Sequence, residues 1–193
     1  MFDLTQTGMS AADTVLLVID VQEKLTVKIP GAAEVIRNIG FLVDAAQILE
    51  IPAHATEQYP KGLGPTVPEL ARRFPTRLEK VSFSCAMPKV VQLLQKSARS
   101  KILLTGIEAH ICVLQSALDL LALDRRVFIA VDAVASRYEF DCKVALQRLQ
   151  QAGCIPVTTE MALFEWLGGA DHPSFKAIAA LVRERIQQLH SSI

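Results

Sequence analysis

Three side chains of this 193-residue sequence are of types that can do covalent chemistry together: a carboxylate, an ammonium and a thiol. Asp20 closes the apolar run TVLLVID, Lys80 stands in LEKVSFS, and Cys112 stands in GIEAHICVLQSALDLL, between what reads as a strand end and a helix start. A thiol at a helix N-terminus is a candidate nucleophile, because the positive end of the helix lowers its pKa and backbone N–H groups there are free. With an ordinary pKa near 8.5 it is mostly protonated at neutral pH, so it needs a base or a stabilising charge. Each residue also has a plainer reading. Asp20 could be a helix cap or salt-bridge partner, Lys80 a solvent-exposed charge on an edge strand, and Cys112 a small buried hydrophobe.

The elements that must position these groups follow from apolar runs alternating with helical patterns, the signature of βαβ units around a parallel sheet. Strands are expected at 14–21, 51–55, 78–84, 101–106, 126–132 and 154–159. Helices are expected over 32–50, 88–98, the segment CVLQSALDLLAL, 139–153, EMALFEWLG and SFKAIAALVRERIQQLH. The Pro and Gly content of EQYPKGLGPTVPEL marks a long irregular loop. The expected architecture is one α/β domain spanning residues 1–193: a doubly wound, Rossmann-like, six-stranded, mostly parallel sheet with helices on both faces. In such sheets ligands bind outside the carboxyl ends of the strands, where the strand order reverses. Asp20, Lys80 and Cys112 then converge on one edge.

Composition narrows the function classes. Lys plus Arg and Asp plus Glu balance at 20 each, so the basic footprint of a nucleic-acid binder is missing. No apolar run approaches the roughly 20 residues that span a bilayer. The start, MFDLTQTGMSAAD, lacks the basic and apolar regions of a secretory signal. Four cysteines without a CxxC pair make neither a disulfide framework nor a zinc site. A cytoplasmic protein with free thiols and no cofactor is expected, and the mean hydropathy of +0.31 points to a homo-oligomer that buries further apolar surface.

The segments LLVIDVQEKL, LEKVSFSC and LLTGIEAHICVLQSALDLLALDRRVFIAVDAVASR resemble the isochorismatase-like hydrolase superfamily, and TEQYPKGLGPTVPEL resembles its isochorismatase domain-containing subgroup. The resemblance implies an Asp–Lys–Cys triad at Asp20, Lys80 and Cys112, and a cis peptide at Ile107–Glu108. It also implies an oxyanion hole formed by the N–H groups of Ile111 and Cys112. In that scheme Asp20 accepts the thiol proton, Lys80 supplies a stabilising cation, and the thiolate attacks a carbonyl to give a thioester that water hydrolyses. Members bearing the cysteine cut amides, carbamoyl or ureido groups of small molecules rather than the vinyl ether of isochorismate. Nicotinamidases hold a metal through an Asp-x-His pair and a further His after strand two. This chain has Thr56, Glu57, Gln58 and Tyr59 there, so no metal is expected.

Glu57, Tyr59 and His110 are candidate pocket residues, with His110 alternatively a helix cap. Cys85, Cys142 and Cys154 read as packing residues, His172 as a turn residue, His190 as part of a polar tail, and Arg125 and Arg126 as surface charges. Two other functions stay open: a catalytically silent scaffold or interaction module, and a redox-sensing thiol.

Overall fold

The computed structural model of the protein describes residues 8–190, with side chains through residue 188. Most of the N-terminal stretch read against a secretory signal, and the His190 side chain, lie outside the described residues. Six strands, β1 (Thr14–Ile19), β2 (Ala53–Gln58), β3 (Leu78–Lys80), β4 (Lys101–Ile107), β5 (Arg126–Ala135) and β6 (Ile155–Val157), form one sheet in the order β3-β2-β1-β4-β5-β6. Every pair is parallel. The order reverses at β1, which pairs with both β2 and β4.

Strand alternation sends side chains to opposite faces, and each set finds its own helices. Leu16 and Val18 of β1, Leu103 of β4 and Phe128 of β5 pack with α2 (Ala32–Ile48), α8 (Thr159–Leu167) and α9 (Phe175–His190). Val15, Leu17 and Ile19, with Ile102, Leu104, Val127 and Ile129, face α5 (Pro88–Lys96), α6 (Leu114–Ala122) and α7 (Glu139–Gln151). Trp166, 2% exposed, anchors the first face, and Leu94 and Leu120, at 1% and 0%, anchor the second.

The strand boundaries differ from expectation where polar residues are buried. β2 runs past the expected end at 55 through Thr56, Glu57 and Gln58, the last two lying in the stretch whose Pro and Gly content reads as loop, and β3 pairs with all three. β3 stops at Lys80, because the following SFS bends around its ammonium. β1 stops at Ile19, since Asp20 adopts a left-handed backbone (φ 51°), a conformation Asp tolerates better than most residues. β5 continues to Ala135 past a register shift against β4. Short helices follow the carboxyl ends of β1 and β2: α1 (Glu23–Thr26), and α3 (Pro60–Leu63) and α4 (Pro68–Ala71) inside the long loop. Both α3 and α4 start at proline, whose missing N–H costs nothing in a first turn.

Candidate active site

The carboxyl edge of the sheet brings Asp20, Lys80 and Cys112 together. Asp20 directly follows β1, Lys80 ends β3, and Cys112 lies in a π-helical turn (Ala109–Val113) after β4. Gly106 makes that approach possible. It pairs with Ile19 in the sheet, has φ 113°, and a Cβ there would lie 2.1 Å from the Ile19 carbonyl oxygen. The Ile107–Glu108 peptide that follows is cis.

Asp20 and Lys80 form an ion pair whose side chains are both 0% exposed, with Nζ 2.6 Å from Oδ2. Lys80 spans the width of β2, and Gln58 at the end of β2 supports it: Nζ donates to Gln58 Oε1 at 2.7 Å, to the Phe83 carbonyl at 2.8 Å and to the Ser82 carbonyl at 3.1 Å. Gln58 is itself braced, its N–H donating to Gln22 Oε1 while Gln22 Nε2 donates back to the Gln58 carbonyl. Asp20 Oδ1 accepts the Thr56 hydroxyl at 2.7 Å. Oδ2 lies off the hydrogen-bonding directions of the ammonium and accepts no conventional hydrogen bond among the described residues. A buried charge persists only when paired and hydrogen-bonded, and this pair is both.

The Cys112 thiol is in contact with both charges, and burial together with the Asp20 carboxylate pushes it up to about 12, against the lowering effect of Lys80. This corrects the expectation of a thiol acidified by a helix N-terminus. The turn's first amides are already engaged, since Ile111 and Val113 both donate to the Glu108 carbonyl, at 3.1 and 3.2 Å. Of the amides expected in an oxyanion hole, the Ile111 N–H therefore has a partner in this state. In the resting site the thiol carries its proton beside a carboxylate able to take it.

Cys112 opens onto a cavity of about 270 Å³. Leu25, Leu63, Phe83 and Ile111 form its apolar wall, while Gln58, Glu108, Lys28 and Arg137 contribute polar and charged groups. The candidate pocket residues Glu57, Tyr59 and His110 do not line it. Glu57 points to the other face of β2, where Thr66 and Arg77 donate to it at 2.7–2.8 Å. Burial opposes its ionised form, but these bonds hold its carboxyl below the usual range. Tyr59, 55% exposed, covers Gly62. His110 Nδ1 lies 2.9 Å from Ser136 Oγ, tying the π-helical turn to the segment after β5.

Cys85 and Cys154 are buried and Cys142 is half-buried. His172 accepts the Ser174 N–H through Nδ1, in the turn before α9. Among the described residues no group of three His, Cys, Asp or Glu side chains gathers as a metal site would require, and no helix is long and apolar enough to cross a membrane.

Sequence reading missed Gln22, Thr56, Gln58, Lys28 and Arg137. The alternation of β2 would have placed Thr56 and Gln58 on the side of Asp20, had the strand been carried to Gln58. Arg137 obeys the same carboxyl-end rule as Asp20, Lys80 and Cys112, but it follows β5 only because that strand runs to Ala135, three residues beyond the expected end at 132.

The doubly wound parallel sheet, with Asp20, Lys80 and Cys112 gathered beside its switch point, is an α/β fold of the isochorismatase-like type. The chain belongs to the isochorismatase domain family, whose model matches residues 14–161. It is 43% identical to isochorismatase domain-containing protein 2 of Danio rerio over 90% of this chain and 89% of that one. The MAR1 ribonuclease structure from Caenorhabditis elegans is similar at a TM-score of 0.87 and 40% identity, covering 91% and 92% of the two chains. YcaC of Escherichia coli, described as an octameric hydrolase of unknown specificity, shares the fold at TM-score 0.84 and 21% identity, over 96% of this chain and 95% of that one.

Proposed function

We propose that the protein is a small-molecule cysteine hydrolase that cleaves an amide, carbamoyl or ureido C–N bond through a thioester on Cys112. The observation that carries this reading is the fully buried Asp20–Lys80 pair in contact with the Cys112 thiol at the base of a small cavity. As Cys112 Sγ attacks the substrate carbonyl carbon, its proton passes to Asp20, whose Oδ2 has no other hydrogen-bond donor. The new S–C bond puts negative charge on the carbonyl oxygen, to which the Cys112 N–H and a released Ile111 N–H donate as an oxyanion hole. The C–N bond breaks, Asp20 returns the proton to the leaving nitrogen, and the acyl group remains as a thioester. Water then attacks, giving its proton to Asp20, and the departing sulfur recovers it. Lys80, 2.6 Å from Asp20 Oδ2, balances the carboxylate charge between proton transfers and offsets the charge on sulfur.

RNA is a weaker match. The Caenorhabditis elegans neighbour is described as a ribonuclease, but here the cavity is small, only three of its lining side chains are charged, and the chain has no net charge. The remaining parts of the reading are a cytoplasmic location and a homo-oligomer, the latter supported by Val27, Val81, Tyr138 and Phe140, which are 63–81% exposed beside the cavity residues.

A panel of amides, ureido compounds, carbamates and a short oligoribonucleotide, assayed with wild type and Cys112→Ala, tests the proposal. Turnover of a C–N substrate should fall on the order of 10³-fold or more in Cys112→Ala, with an unchanged circular-dichroism spectrum. The acyl adduct should appear on Cys112 by mass spectrometry. Wild-type turnover by Cys112→Ala sinks the mechanism. Turnover of none of the C–N compounds favours the scaffold reading, and sulfenic acid at Cys112 under mild peroxide favours the redox one.

A further inference from the structure

Charge is distributed unevenly over the cavity. The one carboxylate lining it among the described residues, Glu108, is 6% exposed, and both of its oxygens face Arg137: Oε1 lies 3.2 Å from Nη2, and Oε2 accepts the Arg137 backbone N–H at 2.9 Å. Glu108 is therefore not open to a substrate cation. Arg137 is the reverse case. Its side chain is 43% exposed, and its other guanidinium nitrogens have no hydrogen-bond partner among the described residues, though Tyr138 lies beneath it at 6.0 Å. Lys28 is exposed and makes no ion pair among the described residues. Two cations against one engaged carboxylate leave the cavity lining with a net charge of one positive unit and N–H donors to spare. The lining side chains Leu25, Leu63, Phe83 and Ile111 are apolar and hold no second charge.

We infer that the substrate of this site carries a carboxylate, held by Arg137 and Lys28, at a position removed from the bond that Cys112 attacks. The inference rests on the hydrolase reading for what happens at the reacting end, and on the cavity alone for the anion. A planar guanidinium already oriented by Glu108 presents paired donors that match a carboxylate in plane. One net positive charge suits a monoanion better than a phosphate dianion or a polyanionic strand. A volume of about 270 Å³ is just below the range typical of drug-sized ligands and admits only a small acid. Glu108 thus acts as a positioning residue, fixing the arginine and tempering its charge so that product can leave.

Binding to the Cys112→Ala chain isolates the anion site from turnover. By calorimetry, N-acetylglycine should bind at least about tenfold more tightly than its neutral counterpart N-acetylglycinamide, since a charge-assisted pair is stronger than a neutral hydrogen bond. The preference should fall to about twofold or less when Arg137→Gln is added, and partly return with Arg137→Lys. Because Arg137→Gln leaves Glu108 buried beside a neutral partner, Lys28→Gln serves as a second variant on an exposed side chain, with an expected three- to tenfold loss of the acid preference. Raising salt should weaken the acid and leave the amide unmoved.

Equal affinities for acid and amide, no detectable binding of either, or tighter binding of a uridine hexanucleotide than of N-acetylglycine overturns the inference. Each of those results leaves the Cys112 mechanism standing on its own assay. Conversely, turnover retained by Cys112→Ala defeats the mechanism without touching the anion preference.

Discussion

The two ends of the central strands carry the same pair of residue types to different effect. At the amino end, Lys101 opens β4 and pairs with Asp13 at 2.7 Å, with side chains 10% and 32% exposed. At the carboxyl end, Lys80 and Asp20 pair at 2.6 Å and are wholly buried. Burial opposes ionisation of Asp13, but hydrogen bonds from Lys101 and Ser10 hold its carboxyl below the ordinary value, and water reaches it. That pair ties β1 to β4 where the strands begin. The Asp20–Lys80 pair has no water to share its field, so its charges act on the nearest polarisable group, the Cys112 thiol. The buried pair thus lies against a thiol that its charges perturb. Elsewhere the same pair is a clasp.

Substitutions at the two ends should separate these roles. The largest effect is expected for Lys80→Met, which leaves Asp20 buried and unpaired and should cost about 3–5 kcal/mol in chemical denaturation. Next comes Gly106→Ala, whose methyl group meets the Ile19 carbonyl at 2.1 Å, a backbone contact that cannot give way. Roughly 2–4 kcal/mol of destabilisation should accompany loss of activity. A variant as stable as wild type would mean that β1 and β4 are not held as closely as the register shows.

The third prediction concerns pH. The folded Cys112 thiol is raised from 9.0 to about 12, so its contribution to stability is complete below pH 9 and is lost as pH climbs toward 12. Iodoacetamide labelling of Cys112 should accordingly stay slow through pH 8, with half-buried Cys142 modified first. A labelling midpoint at Cys112 below pH 8 would show that Lys80 outweighs both burial and Asp20. The smallest effect is expected for Lys101→Met, about 1 kcal/mol or less, as for other partly hydrated pairs. Since the Asp13 carboxyl is held low in the folded state, whatever that pair contributes is present above the unfolded value near pH 4 and disappears as pH falls through the folded one. A loss as large as that of Lys80→Met would erase the distinction between the two ends.

Much of this arrangement is readable one residue at a time. Asp20 and Cys112 stand next to apolar runs that read as buried strands, whereas Lys80 falls inside the third expected strand, 78–84, and only the fold puts it at the strand's end. The carboxyl-end rule then collects them on one edge. Gln58 and Thr56 escaped because polarity in a sequence signals solvent, and nothing local reveals that β1 and β3 enclose them. Glu57 looked like a pocket residue for the same reason: strand alternation decides between the cavity and Thr66 with Arg77, and the strand's extent was not visible in its composition.

What the sequence by itself determined about this protein is the alternation of apolar runs and helical faces, and with it a doubly wound sheet whose active edge carries a carboxylate, an ammonium and a thiol. Period-two and period-3.6 patterns depend on near neighbours, and near neighbours are what a sequence displays. Only the tertiary structure decided that the thiol is held protonated, that Gln58 props Lys80 across β2, and that Arg137 faces the cavity already oriented by Glu108. Those outcomes depend on desolvation and on which distant groups share a few ångströms of space, and both are set only when the strands have packed.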